Sequence, residues 1–530
     1  MNYIELFAGC GGLSLGLKSV GFELVLANEL SPMASETFAY NFFQENLAEQ
    51  TSTLFKDNKP LKIKWLSSNF PLNRIQDRLR EDPRTFLEYG QGFCDFSSIK
   101  DLKGSLIVGN IIEVNKWLAE QPEHLQFIKN GFGTGEIDLV SGGPPCQSFS
   151  MAGMRELSNK RNTLPWEFAK FVKNIQPKIA LLENVTGILR PFKVEAKSYY
   201  AWFEVAKSFA KIGYIPLCLH INAKYIGIAQ NRPRFILLAI RYDIFEKIKF
   251  SFNSYEKKLF NRSKYFYDQV ILGKPVKYGL LSYFDINKDE DFLHFKHSFL
   301  NHLVKAPSRH SSVEEAIDDL RTNNNTPSPY IKKLNKYFKS KIKSTDIKNH
   351  DYRKNTPLVK SRFRIYQILN QVSPTTQREV KALLRSTIDY LSDTTLSEML
   401  NYTYLNNKQK LVKLKDKQIL NSYLVQHRTK KQTQKALIAK KPAPTALSIA
   451  DDTCHYHSEE IRTLTVREMA RIQSFPDNFI FRSKVTTGGK MRRFEVPQYT
   501  QVGNAVPPLL GRALGLTVKN LLQKIPNKNS

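Results

Sequence analysis

Pro144-Pro145-Cys146-Gln147 follows the apolar run Ile137 to Ser141 and two glycines, so a thiol stands past the carboxyl end of a candidate strand on a loop stiffened by two prolines. A cysteine delivered there is a candidate nucleophile. Its thiolate is the reactive form, and a nearby basic group or helix N-terminus has to lower its pKa. A cysteine after a strand is more often a small buried hydrophobe; the Pro-Pro-Cys-Gln context favours the reactive reading. Three other groups carry chemistry. Phe7-Ala8-Gly9-Cys10-Gly11-Gly12 sits between a strand and the helix-like Leu13 to Ser19, where glycines admit a ligand to the backbone and leave helix N-terminal amides free. Glu29 ends the next strand, where a carboxylate can bridge two ribose hydroxyls. Glycines at 9, 11 and 12 depart from the dinucleotide spacing, so the pattern favours an adenosine-containing cofactor over NAD, with a tight structural turn as the competing reading.

Leu181-Leu182-Glu183-Asn184-Val185 places a carboxylate where an apolar strand ends, and burial there raises a carboxyl pKa enough to donate a proton near neutrality. The bland alternative is a glutamate capping a helix. Gln230-Asn231-Arg232-Pro233-Arg234 leads into the strand Phe235 to Ile240. Alternate arginines on extended backbone point the same way and can clamp a phosphate and a carbonyl oxygen, unless they are a plain surface pair.

These groups need a scaffold. Short apolar runs at Tyr3 to Phe7, Glu23 to Ala27, Leu106 to Val108, Ile137 to Ser141, Ile179 to Leu182 and Phe235 to Ile240 alternate with amphipathic stretches such as Trp166 to Ile175 and Tyr200 to Ile212. That rhythm predicts an α/β domain with a mostly parallel, helix-covered sheet. From about residue 245 the rhythm ends, and Tyr330 to Ile342 and Thr387 to Leu414 read as basic amphipathic helices.

A chain of 530 residues is too long for one core and predicts two or three units. The net charge of +30 points to a polyanionic partner, and residues 241 to 450 carry +21 of it. Lysines that merely solvate helices are the alternative. The five cysteines are scattered, with no Cys-x-x-Cys, so neither a disulfide framework nor a metal site is expected. No basic leader or long apolar run opens the sequence, and a cytoplasmic protein with no membrane partner is expected.

In chain order, Phe7 to Gly12, Pro145 to Gln147, Glu183 to Val185, Gln230 to Arg234, Arg462 to Glu468 and Gly503 to Val506 read Phe-x-Gly-x-Gly-Gly, Pro-Cys-Gln, Glu-Asn-Val, Gln-x-Arg-x-Arg, Arg-x-Leu-Thr-x-Arg-Glu and Gly-Asn-Ala-Val. This ordered set resembles the DNA (cytosine-5) methyltransferase family of bacterial restriction-modification type, over roughly residues 1 to 240 and 443 to 530. The resemblance implies a Rossmann-like, seven-stranded S-adenosylmethionine methyltransferase sheet with helices on both faces, plus a separate mixed target-recognition domain. It implies that Phe7, Gly9, Gly11, Gly12, Asn110, Ile111 and Pro144 line the S-adenosylmethionine pocket, that Glu29 holds the ribose, and that Asn504 and Val506 close over it. Cys146 would attack C6 of a flipped cytosine, Glu183 would engage N3, and Arg232 and Arg234 would hold O2 and neighbouring backbone.

The implied domains are 1–245 for catalysis and cofactor, 246–496 for target recognition with a return segment, and 497–530 completing the catalytic domain. Asn110 stands where the family usually has an aspartate, and an insertion at about 45–105 exceeds the family's usual spacing. The implied substrate is double-stranded DNA, methylated by a monomer that is paired functionally with a restriction endonuclease. An RNA (tRNA) cytosine-5 methyltransferase and a non-catalytic DNA-binding protein are the alternatives. An amino-methylating enzyme is excluded, because its loop would carry Asp-Pro-Pro-Tyr or Asn-Pro-Pro-Tyr in place of Pro144-Pro145-Cys146-Gln147.

Overall fold

The computed structural model describes residues 1–49, 60–145, 163–194, 197–305, 309–341, 346–431, 433–445 and 452–526. They form two compact units, Met1–His310 with Phe479–Ser530, and Ser311–Asn478. The sequence reading placed its breaks at 245 and 497. The first unit runs on past 245 because helix Ser254–Ile271 packs on the earlier helix Ala201–Lys211, with Phe266 edge-on to Phe203 at 5.4 Å.

The first unit is built on β1 (Asn2–Leu6), β2 (Glu23–Glu29), β3 (Ile63–Trp65), β4 (Ser105–Val108), β5 (Leu139–Gly142), β6 (Ile179–Val185), β7 (Tyr214–Asn222), β8 (Pro233–Arg241) and β9 (Tyr283–Asp285). Their order is β9-β7-β8-β6-β5-β1-β2-β4-β3. Among the described residues the sheet therefore has nine strands, not the expected seven: the three-residue β3 and β9 add one strand at each edge. Among these described strands only β8 runs antiparallel to its neighbours. Every residue of β1, β4 and β5 is buried, and since successive side chains point to opposite faces, both faces are covered.

The seventh central strand, β7, is absent from the sequence reading because Pro216 interrupts its apolar run. Proline is tolerated there because β9 pairs only with Cys218 to His220, so Pro216 faces no partner on that side.

The C-terminal segment returns to the start of the chain. Helix Pro508–Leu522 crosses helix Gly12–Lys18 backbone to backbone: a Cβ on Gly16 would lie 2.3 Å from the Arg512 nitrogen, and one on Gly511 would lie 2.9 Å from the Leu13 carbonyl oxygen. Arg512 Nη1 seals the crossing by donating to Ser19 O at 2.8 Å.

The second unit packs helices Pro357–Leu369, Pro374–Leu384, Asp393–Met399 and Lys417–Gln426 around Ile365, Leu383, Met399 and Leu424. The expected helix Thr387 to Leu414 is not one helix. Ser392 caps a new start at Asp393, and Thr403–Leu405 then pairs antiparallel with Leu411–Lys413 across a turn in which Asn406 Oδ1 accepts from Lys408 N and Lys410 N. The Arg462 to Glu468 motif is spent on this unit's interior: Arg462 donates to both oxygens of Glu468 at 2.8 and 2.7 Å, and Thr465 with Glu468 forms a capping box. Among the described residues no helix is long and apolar enough to cross a membrane.

Candidate active site

In a parallel sheet, ligands bind past the carboxyl ends of the strands where the chain order reverses. Here β1 lies between β2 and β5, and a cavity of about 530 Å³ opens beside their carboxyl ends. Phe7 follows β1, Glu29 ends β2, Asn110 follows β4, Pro144 and Pro145 follow β5, and Glu183 lies near the end of β6; all of them line the cavity. Strand β8 begins where β6 ends because the two are antiparallel, with Arg234 opposite Val185 and Ile236 opposite Glu183. That register brings Arg232 and Arg234 to the same cavity.

On one wall, Glu29 Oε2 accepts from Gly9 N at 2.7 Å and Oε1 from Ser31 N at 2.8 Å. Burial pushes this carboxyl up, and the two amides pull it back. Each carboxylate oxygen has a second acceptor position for a hydroxyl. Phe7 sits in the left-handed region at φ 54°, a conformation that costs a non-glycine residue about 1 kcal/mol or more and clusters at ligand sites. Gly9, Ile111, Asn504 and Val506 join this lining, whereas Gly11 and Gly12 do not. Gly11 is required for packing: its φ is +94° and a Cβ would come within 2.5 Å of the Phe42 ring. Asn110 caps helix Ile111–Glu120, its Oδ1 accepting from Ile112 N at 3.0 Å.

On the other wall, Glu183 is 8% exposed and Arg234 Nε lies 2.6 Å from its Oε1. Arg232 Nη2 donates to Gly503 O and Ala505 O at 3.0 and 2.9 Å, tying the C-terminal segment to β8. Its Nε and Nη1 are buried without a hydrogen-bond partner among the described residues, and burial together with the Arg234 charge pushes the Arg232 pKa down. A buried guanidinium with open donors is costly unless an acceptor fills the site. Asn184, which sequence reasoning passed over, donates from Nδ2 to Pro144 O at 3.1 Å and so holds the proline loop. Gln501 was also missed. Its Nε2 donates to Met33 O and Val496 O at 3.1 and 3.0 Å, and its Oε1 accepts from Thr37 Oγ1 at 2.6 Å. Cys146 lies outside the described residues; the described chain reaches Pro145 on the cavity wall. Cys10 is buried, and burial pushes its thiol up, away from the reactive form.

Glu5, also in the lining, accepts a hydrogen bond from Ser14 Oγ, which in turn accepts from Tyr3 Oη at 2.9 Å. Burial pushes its carboxyl up to about 8. The folded protein thus keeps a proton that the unfolded chain releases above its ordinary pKa near 4.5. The stability this supplies is complete below pH 4.5 and is lost as pH rises to about 8. Denaturant titrations of wild type and Glu5→Gln should therefore diverge with pH, the wild type losing roughly 2–4 kcal/mol relative to the variant between pH 5 and 8. Parallel pH profiles for the two proteins would show that Glu5 is ionised throughout.

Residues 1–71 and 119–520 match the profile of C-5 cytosine-specific DNA methylases. Type II methyltransferase M.DdeI of Desulfomicrobium norvegicum is 26% identical over 522 residues, which cover 97% of this chain and 87% of that protein. Type II methyltransferase M1.HphI of Haemophilus parahaemolyticus is 23% identical over 521 residues, covering 98% and 86%. Type II methyltransferase M.Bpa9945I of Bacillus paralicheniformis is 26% identical over 548 residues, covering 98% and 99%. With a profile match that leaves out only residues 72–118 and the last ten, on a sheet that gathers the glycine loop, the proline loop, Glu183 and both arginines around one cavity, this chain belongs to the C-5 cytosine-specific DNA methylase family.

Proposed function

We propose that the protein is the modification enzyme of a type II restriction-modification system, methylating C5 of a cytosine in a specific duplex sequence with S-adenosylmethionine as donor. The observation that carries this reading is the single cavity that has Glu29 and the glycine loop on one side and Glu183, Arg232 and Arg234 on the other. The first wall fits the cofactor: a carboxylate for ribose hydroxyls, an aromatic ring at Phe7, and apolar Ile111 and Val506. When bound, S-adenosylmethionine supplies the methyl group that an activated C5 takes.

The chain's own residues do the rest. Cys146 Sγ, as thiolate, forms a bond to C6 of the flipped base, and the electron pair displaced from the ring double bond makes C5 nucleophilic. Glu183 shares or donates a proton at N3, which drains the charge arriving in the ring. Arg234, paired with Glu183, fixes the orientation of that carboxyl, and the open donors of Arg232 take the O2 or phosphate side. Loss of the C5 proton to a base then returns the electron pair to the ring and expels Cys146 as thiolate. The glycine-loop backbone, Asn110 and Pro144 hold the cofactor, with Asn504 and Val506 over it.

Residues 246–496 supply target recognition and the return segment, with recognition of the target sequence carried by the second unit, Ser311–Asn478. The surplus of positive charge over 241 to 450 supports this assignment. A cytoplasmic monomer that acts independently of its endonuclease partner fits the same reading. The test is tritiated methyl transfer from S-adenosylmethionine to duplex DNA and to transfer RNA, followed by base analysis. Incorporation as 5-methylcytosine in DNA at one sequence is expected, and incorporation confined to RNA would favour the tRNA alternative.

A further inference from the structure

The insertion between β2 and β4 is not a loose excursion. Ile75 and Leu79 pack with Phe38 and Trp65 in one buried cluster, and Arg78 Nη1 lies 2.7 Å from both carboxylate oxygens of the buried Asp95. The turn Pro83–Thr85 is held at both ends: Asp82 Oδ1 accepts from Arg84 N at 3.0 Å, and Thr85 O accepts from Asn69 Nδ2 at 2.9 Å. This ordered turn reaches the active-site cavity, where Pro83 and Arg84 are part of the wall. Across from them stands Phe494 on the return segment, with the Arg84 guanidinium centred 4.3 Å from its ring centroid.

We propose that Arg84 and Phe494 form a clasp that sets how tightly the protein holds S-adenosylmethionine and its demethylated product. The inference rests on the cofactor reading given above. Three observations assign the clasp to the cofactor rather than to DNA. First, the insertion is fastened to the cofactor wall: Tyr89 N donates to Glu113 Oε2 at 3.0 Å on the helix that begins at Ile111, and a Cβ on Gly109 would meet Leu66 at 3.0 Å. Second, Asp82 already engages the Arg84 charge, with Nη2 2.6 Å from Oδ2 and Nε within reach of both oxygens. The guanidinium therefore offers a flat stacking surface rather than a free cation for a phosphate. Third, Arg84 lies in residues 72–118, which the family profile leaves out, and Phe494 lies within it, so the clasp joins a segment outside the shared pattern to one inside it.

Isothermal titration of the full-length protein with S-adenosylmethionine and with S-adenosylhomocysteine, without DNA, tests the proposal. Arg84→Ala and Phe494→Ala should each weaken both ligands by about five-fold, and the double variant by little more than either alone, because both remove the same stacked pair. Arg84→Lys, which keeps the charge and loses the plane, should fall between. Arg84 is half exposed, so melting curves should stay close to wild type. Glu29→Ala serves as the control for the cofactor reading itself: wild-type protein that binds neither ligand, or a Glu29→Ala variant with wild-type affinity, sinks that reading and this inference with it. Wild type and Glu29→Ala behaving as expected while Arg84→Ala binds both ligands with unchanged affinity overturns the clasp alone. So does a loss of duplex-DNA affinity in Arg84→Ala at unchanged cofactor affinity, which would make Arg84 a phosphate contact.

Discussion

Glu183→Gln is expected to slow single-turnover methyl transfer by about 100- to 10,000-fold while leaving duplex-DNA affinity within about two-fold of wild type. Glutamine keeps the shape and can still donate a hydrogen bond toward N3, but it has no proton to share as charge enters the ring. Phosphate contacts, which dominate DNA affinity, do not involve this buried side chain. The substitution also removes the partner of Arg234, whose pKa burial already pushes down. A buried guanidinium that loses its counter-ion costs stability, on the order of 3 kcal/mol. Thermal melts of Glu183→Gln beside a Glu183→Gln/Arg234→Met double variant separate the two effects: the double variant should regain melting temperature and remain slow. A Glu183→Gln protein that is fully folded and transfers methyl groups at the wild-type rate would remove Glu183 from the chemistry.

Much of this site is legible in the sequence because the chemistry sits at strand ends, and strand ends are marked by local pattern. Each apolar run from Tyr3 to Ile240 in the sequence reading becomes a strand, extended by one to three residues at most ends. Phe7, Glu29 and Glu183 fall at or near the carboxyl ends of those strands, and Arg232 falls just before the start of β8. What local pattern does not encode is who meets whom across the chain. Pro216 argues against a strand unless one knows that β9 leaves that position without a partner. Gly11 reads as a ligand-facing glycine, yet its requirement comes from the Phe42 ring behind it. The run Thr387 to Leu414 reads as a basic amphipathic helix, but Ser392 and Asn406 punctuate it into a short helix and a hairpin. Asn184 and Gln501 act through backbone carbonyls, which carry no residue-type signal. Arg84 and Phe494 meet across a separation of 410 positions that no window of sequence can reveal.

A thiol at position 146 that attacks C6 and must later be expelled can be caught by trapping. With 5-fluorocytosine at the target position, the methyl group can be added to C5, but fluorine cannot leave as a cation. Elimination then stalls with the Cys146 sulfur still bonded to C6. Native protein, S-adenosylmethionine and fluorinated duplex should give a protein–DNA species that survives denaturing gel electrophoresis and forms only when the donor is present. Cys146→Ser should form none and should lose methyl transfer to unmodified DNA by more than about 1,000-fold. Cys10→Ser, altered at the buried thiol of the glycine loop, should still be trapped. A covalent species of equal yield in Cys146→Ser, or none from native protein that methylates the unfluorinated duplex, would remove Cys146 from the attack on C6.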